Sequence, residues 1–147
     1  AVAIFYASMY GNTENAANLL ANGLAEAGVK NIALYDISST HVSTLIAEIF
    51  RCSHIVLASP TYNNGMYPAM ANLIHDMKAL LLQNRTVGLI ENGTWNPASG
   101  KLMRAELNGM KGMDILEPAV TLKSSLKEDS KAQLDALKDA IVGSLKG

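Results

Sequence analysis

The segment Ser8-Met9-Tyr10-Gly11-Asn12-Thr13 joins an apolar run to a stretch of helical periodicity. Free N–H groups at a helix start, the hydroxyls of Ser8 and Thr13 and a flexible Gly11 together suit a phosphate. No Lys or Arg lies in the segment, so an anion there would be held by neutral donors and the helix dipole. Helix capping alone explains any one of these residues. Their concentration in one strand-to-helix turn favours an anion site. A second segment, residues 59–67, carries no charge and two aromatics. In it Tyr62 and Tyr67 suit the face of a flat heterocycle, and Asn63 and Asn64 its polar edge. Taken alone, Asn63-Asn64-Gly65 reads as a turn. A third segment, residues 91–96, holds the only tryptophan, Trp95, in a chain that is 5% aromatic. Trp95 suits stacking on an aromatic ligand or, equally, packing against a helix. Gly93 lets the backbone approach a ring closely.

Other chemistries lack their residues. No G-x-G-x-x-G follows the first apolar run, so a dinucleotide fingerprint is missing. Ser99-Gly100-Lys101 is followed by Leu102, and its spacing from Gly93 does not make a Walker loop. There is no G-x-S-x-G nucleophile elbow. A receiver domain needs acidic residues and an aspartate where Ser8 and Ser59 stand. His41, His54 and His75 are scattered without metal-ligand spacing and read as surface or strand-end residues. The sequence therefore predicts neither a catalytic side chain nor a metal site.

The elements that position these segments follow from apolar patterning. Strands are expected at residues 2–7, 32–36, 54–59 and 86–91, and a fifth at 113–122 interrupted at Pro118. Helices are expected at 12–27, with Ala16, Leu20 and Leu24 on one face and Gly28 past the end, at 42–50, and at 68–82 with Pro68 at a first position. A further helix over 98–107 follows Asn96-Pro97. Ser125-Leu126-Lys127-Glu128 has capping-box spacing and opens a last helix that buries Leu134, Leu137, Ile141 and Leu145. Five βα repeats with strands apolar on both faces imply an α/β fold, a five-stranded parallel sheet covered on both sides. Right-handed crossovers make it a doubly wound three-layer sandwich. Ligands in such folds sit beyond the carboxyl ends of the strands, where the three segments fall.

The chain has 147 residues, 49% apolar and 17% charged, which suits one folded domain over 1–147. Thirteen acidic and twelve basic residues give a net charge of -1 and no field favouring nucleic acid or an anionic membrane. No apolar run approaches the roughly 20 residues of a membrane span. The start lacks a basic leader and a cleavage site. The single cysteine, Cys52, reads as inert packing and fits a reducing, cytoplasmic setting.

Ser-Met-Tyr-Gly-Asn-Thr resembles the flavodoxin phosphate loop, whose usual form is Thr-x-Thr-Gly-x-Thr. Ser-Pro-Thr-Tyr and Asn-Gly-Thr-Trp look like the two flavin-flanking loops, and the resemblance covers the whole chain. Ala-Ser-Met-Tyr-Gly-Asn-Thr-Glu, Ser-Pro-Thr-Tyr-Asn-Asn and Trp95 are more closely similar to the C-terminal flavodoxin-like domain of flavodiiron proteins, the A-type flavoproteins. The resemblance implies a flavodoxin-like sheet of order 2-1-3-4-5 and FMN as an electron carrier. It implies that Ser8, Met9, Tyr10, Gly11, Asn12 and Thr13 hold the phosphate. Pro60, Thr61, Tyr62, Asn63, Asn64 and Gly65 would line one side of the ring, and Asn92, Gly93, Thr94 and Trp95 the other. The partner it implies is a redox protein or an adjacent di-iron domain that reduces O2 or NO, whose metal ligands this chain does not supply. Three rivals stay open: a free-standing flavodoxin, an NAD(P)H-dependent FMN quinone reductase, usually a homodimer, and a binding module that has lost the flavin. Two features depart from the pattern. Glu91 stands where the family more often has a small residue, and the chain is near neutral where free flavodoxins are usually strongly acidic.

Overall fold

The computed structural model describes residues 2–7, 12–62, 65–92, 99–116, 120–122 and 128–146. Its elements, in order, are β1 (Val2–Tyr6), α1 (Asn12–Glu26), β2 (Ile32–Asp36), α2 (Val42–Arg51), β3 (His54–Tyr62) and β4 (Gly65–Met66). There follow α3 (Pro68–Ala79), β5 (Arg85–Asn92), α4 (Ser99–Asn108), β6 (Met113–Ile115), β7 (Val120–Leu122) and α5 (Glu128–Lys146).

The two-residue period of a strand divides the apolar runs between two cores. Val2, Ile4, Val56, Ala58 and Ile90 face the side covered by α1 and α5. Ala3, Phe5, Ile55, Leu57, Val87 and Leu89 face the side covered by α2, α3 and α4. Both faces are buried, which is why β1 and β3 read as unbroken apolar runs. On the first side Leu134, Leu137 and Ile141 of α5 are buried as expected, while Leu145 is only half buried. Gly88 admits Leu137: a Cβ there would lie 3.1 Å from the leucine's Cδ1.

Parallel pairing runs in the order β2-β1-β3-β5-β6, with β7 also on β5, so β6 and β7 share the fifth position of a 2-1-3-4-5 sheet. The expected interruption of the fifth strand is present as a change of register. Val87 pairs with Ile115, but Ile90 pairs with Val120, so β5 advances three residues while its neighbour advances five. Pro118 itself lies outside the described residues.

Helix ends explain two boundaries. At the end of α1, Gly28 N–H donates to Ala25 O and Val29 N–H to Leu24 O, with Gly28 at φ 98. That is the Schellman pattern, with glycine at the left-handed position. α3 stops at Ala79 rather than 82 through the same pattern. Leu81 N–H donates to Lys78 O and Leu82 N–H to Met77 O, with Leu81 at φ 60 and 75% exposed. Burial of Leu82 turns the chain there despite a leucine in the left-handed region.

Candidate functional site

The carboxyl ends of β1, β3 and β5 lie side by side, with Ala7 N–H donating to Ala58 O at 2.9 Å. β1 and β3 are also where the chain reverses its direction of winding, since β2 lies on one flank of β1 and all later strands on the other. α1 starts beside this junction at Asn12. Its next residue, Thr13, is 1% exposed, and its Oγ1 finds no hydrogen-bond partner among the described residues. An unsatisfied buried hydroxyl costs about 1–3 kcal/mol. It stands in the first turn of a helix, where backbone N–H groups lack intrahelical acceptors. Ser8, Met9, Tyr10 and Gly11, the rest of the expected phosphate segment, lie outside the described residues. Nearby, the Tyr6 hydroxyl donates to Glu14 Oε1 at 3.4 Å. Burial, then the charges of Glu14 and Asp36, push the Tyr6 phenol up, so it stays protonated as the donor.

The second segment differs from the expected loop. β3 runs three residues beyond Ser59 and folds back as a hairpin, with Thr61 opposite Met66 and Tyr62 opposite Gly65. Ser59 and Pro60 are buried, and the Ser59 hydroxyl donates to Pro60 O at 3.1 Å. Pro60 pairs with Asn92, so the structure brings the second and third segments together at adjacent strand ends. Asn63 and Asn64 lie outside the described residues. Tyr67 is the N-cap residue of α3 and packs against the α2–α4 core. With Ile37, Ser38, Pro68 and Ala69 it lines a depression of about 440 Å³.

In the third segment Asn92 is the last residue of β5, while Gly93, Thr94 and Trp95 lie outside the described residues. Glu91 Oε1 accepts the Thr121 hydroxyl at 2.9 Å, and the Thr121 N–H donates to Gln133 Oε1 at 2.8 Å. Sequence reading missed Thr121 and Gln133. Their relation to Glu91 follows from the β5–β7 register, which no local pattern announces.

The other chemistry-bearing residues sit elsewhere. His54, expected at a surface or strand end, starts β3 but is 8% exposed. Its Nδ1 lies 2.7 Å from Ser53 Oγ and its Nε2 2.9 Å from Ser144 Oγ. Burial pushes its pKa down. Cys52 is buried as the C-cap of α2, and burial pushes its thiol up. Among the described residues no His, Cys, Asp and Glu cluster forms that could hold a metal ion. No described helix is long and apolar enough to cross a membrane.

The model of the flavodoxin family matches residues 4–134, nearly the whole of this architecture. This chain belongs to the flavodoxin family. Rubredoxin-oxygen oxidoreductase of Megalodesulfovibrio gigas is 31% identical over 145 residues, which are 99% of this chain and 36% of that protein. A solved structure of rubredoxin oxygen:oxidoreductase from the anaerobe Desulfovibrio gigas superposes with a TM-score of 0.91 at 31% identity, over 99% of this chain and 36% of that one. The anaerobic nitric oxide reductase flavorubredoxin of Vibrio vulnificus is 26% identical over 132 residues, 89% of this chain and 26% of that protein. The chain thus spans about a third or less of the length of these relatives. A flavodoxin from the domain Archaea is covered end to end, as is this chain, with a TM-score of 0.85 at 18% identity, a likeness of fold.

FMN is the cofactor of flavodoxins, which are themselves a known instance of ligand binding at the switch point of a doubly wound sheet. The described part of this chain fits that cofactor. The buried Thr13 hydroxyl in the first turn of α1 is a donor without an acceptor among the described residues, placed beside the β1–β3 switch point. A phosphate supplies acceptors of that kind.

Proposed function

We propose that residues 1–147 form an FMN-binding electron-transfer domain whose electrons pass to a di-iron centre on a separate domain, where O2 or NO is reduced. The observation that carries the FMN site is the buried Thr13 Oγ1, which has no hydrogen-bond partner among the described residues. FMN, when bound, supplies one- and two-electron redox chemistry, and the protein's part is binding, orientation and electrostatics. Ser8, Met9, Tyr10, Gly11, Asn12 and Thr13 would hold the phosphate, with hydroxyl, amide and backbone N–H groups as the donors. Pro60, Thr61, Tyr62, Asn63, Asn64 and Gly65 would line one side of the ring. Asn92, Gly93, Thr94 and Trp95 would line the other and exclude water from it. The parallel rungs that end at Pro60 and Asn92 would set the spacing between the two walls.

The di-iron partner is supported by 31% identity to an oxygen oxidoreductase of which this chain matches only 36%. The net charge of -1 supports it too, since a tethered domain needs little long-range steering toward its acceptor. A second reading is a free-standing cytoplasmic electron carrier, since the fold is shared with a flavodoxin from the domain Archaea. Expressing the whole reading frame and assaying NADH-driven O2 and NO consumption with and without a rubredoxin-type donor separates the two. Consumption that requires both this domain and bound iron supports the first reading. A reading frame that encodes this chain alone overturns it.

A further inference from the structure

Glu91 is the only acidic side chain in the three segments 8–13, 59–67 and 91–96, and it directly precedes the flavin-flanking residue Asn92. A carboxylate beside an anionic cofactor is unfavourable on charge alone. Its geometry gives it another task. Glu91 Oε1 accepts the Thr121 hydroxyl at 2.9 Å, and Thr121 is its rung partner on β7. The register change makes that pairing. Had the alignment of Val87 with Ile115 continued unbroken, Ala119 would stand opposite Glu91, with no hydroxyl to offer. The two additional residues bring Thr121 there instead. Thr121 is held in turn from α5, because its N–H donates to Gln133 Oε1 at 2.8 Å. That bond also satisfies a backbone group on an edge strand. α5 packs on α1, the helix that carries Thr13.

We infer that Glu91, Thr121 and Gln133 form a bracket that fixes the end of β5 from which the flavin-flanking segment departs. Glu91 is a positioning residue in it, needed as a hydrogen-bond acceptor and not for its charge. The inference rests on the FMN reading above. Glu91→Gln keeps an acceptor and removes the charge, whereas Glu91→Ala removes both. Thr121→Ser keeps the hydroxyl, whereas Thr121→Val replaces it with a methyl of similar shape.

The test is a fluorescence titration of each chain with FMN, alongside hydrogen exchange at the Asn92 amide without nucleotide and visible circular dichroism of the bound flavin. Glu91→Ala and Thr121→Val should weaken FMN by about three- to tenfold, the range of one lost hydrogen bond, and change the flavin dichroism. They should also speed exchange at Asn92. Glu91→Gln and Thr121→Ser should stay within about twofold of the parent, which also controls for misfolding. If Glu91→Gln behaves as Glu91→Ala, charge is what matters and the bracket is overturned. Unchanged affinity and exchange in Thr121→Val overturn it as well. If the parent chain takes up no FMN, the FMN reading fails, and exchange at Asn92 alone then decides whether the bracket holds the strand end.

Discussion

Thr13 carries opposite consequences for the empty and the loaded protein. Its hydroxyl is buried without a partner among the described residues, so Thr13→Val removes a group that is desolvated and unpaid for. The nucleotide-free variant should be more stable by about 1 kcal/mol in urea denaturation, and should bind FMN more weakly by about 1–3 kcal/mol. A variant that loses stability and keeps its FMN affinity would place the phosphate elsewhere. His54 gives a pH signature distant from the site. Burial lowers its folded-state pKa below the ordinary 6.5, so between the two values the unfolded chain binds more protons. The contribution of His54 is therefore complete above about 6.5 and is lost as pH falls below it, levelling off under the folded-state value. In His54→Gln the loss of stability between pH 7.5 and 5 should be smaller than in the parent. Equal slopes in urea melts at several pH values would contradict this.

Among the elements, those whose cause is local were legible from residues alone. β1 and β3 show it, because burial on both faces leaves no polar alternation, and Gly28 marks the end of α1 because the left-handed cap position suits glycine. The elements that tertiary contacts decide were not legible. The β3–β4 hairpin arises where β3 outruns its neighbours, the Thr121 pairing depends on a register change across the sheet, and α3 ends on a leucine that nothing local marks as a stop. The candidate site divides in the same way. The hydroxyls gathered in one strand-to-helix turn pointed to Thr13, and the resemblance to flavodoxins pointed to Pro60 and Asn92, whereas Thr121 and Gln133 reach that region only through folding. Leu81 is a direct test of the cap. It is 75% exposed at φ 60, so Leu81→Gly relieves left-handed strain and gives up little burial. A gain of about 0.5–1 kcal/mol is expected, read as a higher urea midpoint. The converse holds at Gly112, at φ 69, where a Cβ would collide with the Asn84 side chain. Gly112→Ala should lower that midpoint.

At the scale of the whole molecule, a net charge of -1 leaves little long-range field to recruit a partner. Electron transfer from the reduced chain to a soluble basic acceptor should therefore change less than about threefold between 0.05 and 0.5 M salt, far less than for a strongly acidic carrier. A steep fall in stopped-flow rate would favour a freely diffusing shuttle over a tethered domain. The fold, the rung that joins Pro60 to Asn92 and the bracket behind Glu91 all converge on one end of the sheet, and they matter only if a flavin nucleotide sits there. The most direct measurement is a titration of FMN with nucleotide-free chain, followed by flavin fluorescence and visible absorbance. Quenching that saturates at one FMN per chain, with a shifted two-banded spectrum, is the predicted result. Fluorescence and spectrum identical to those of free FMN at micromolar protein would contradict the account.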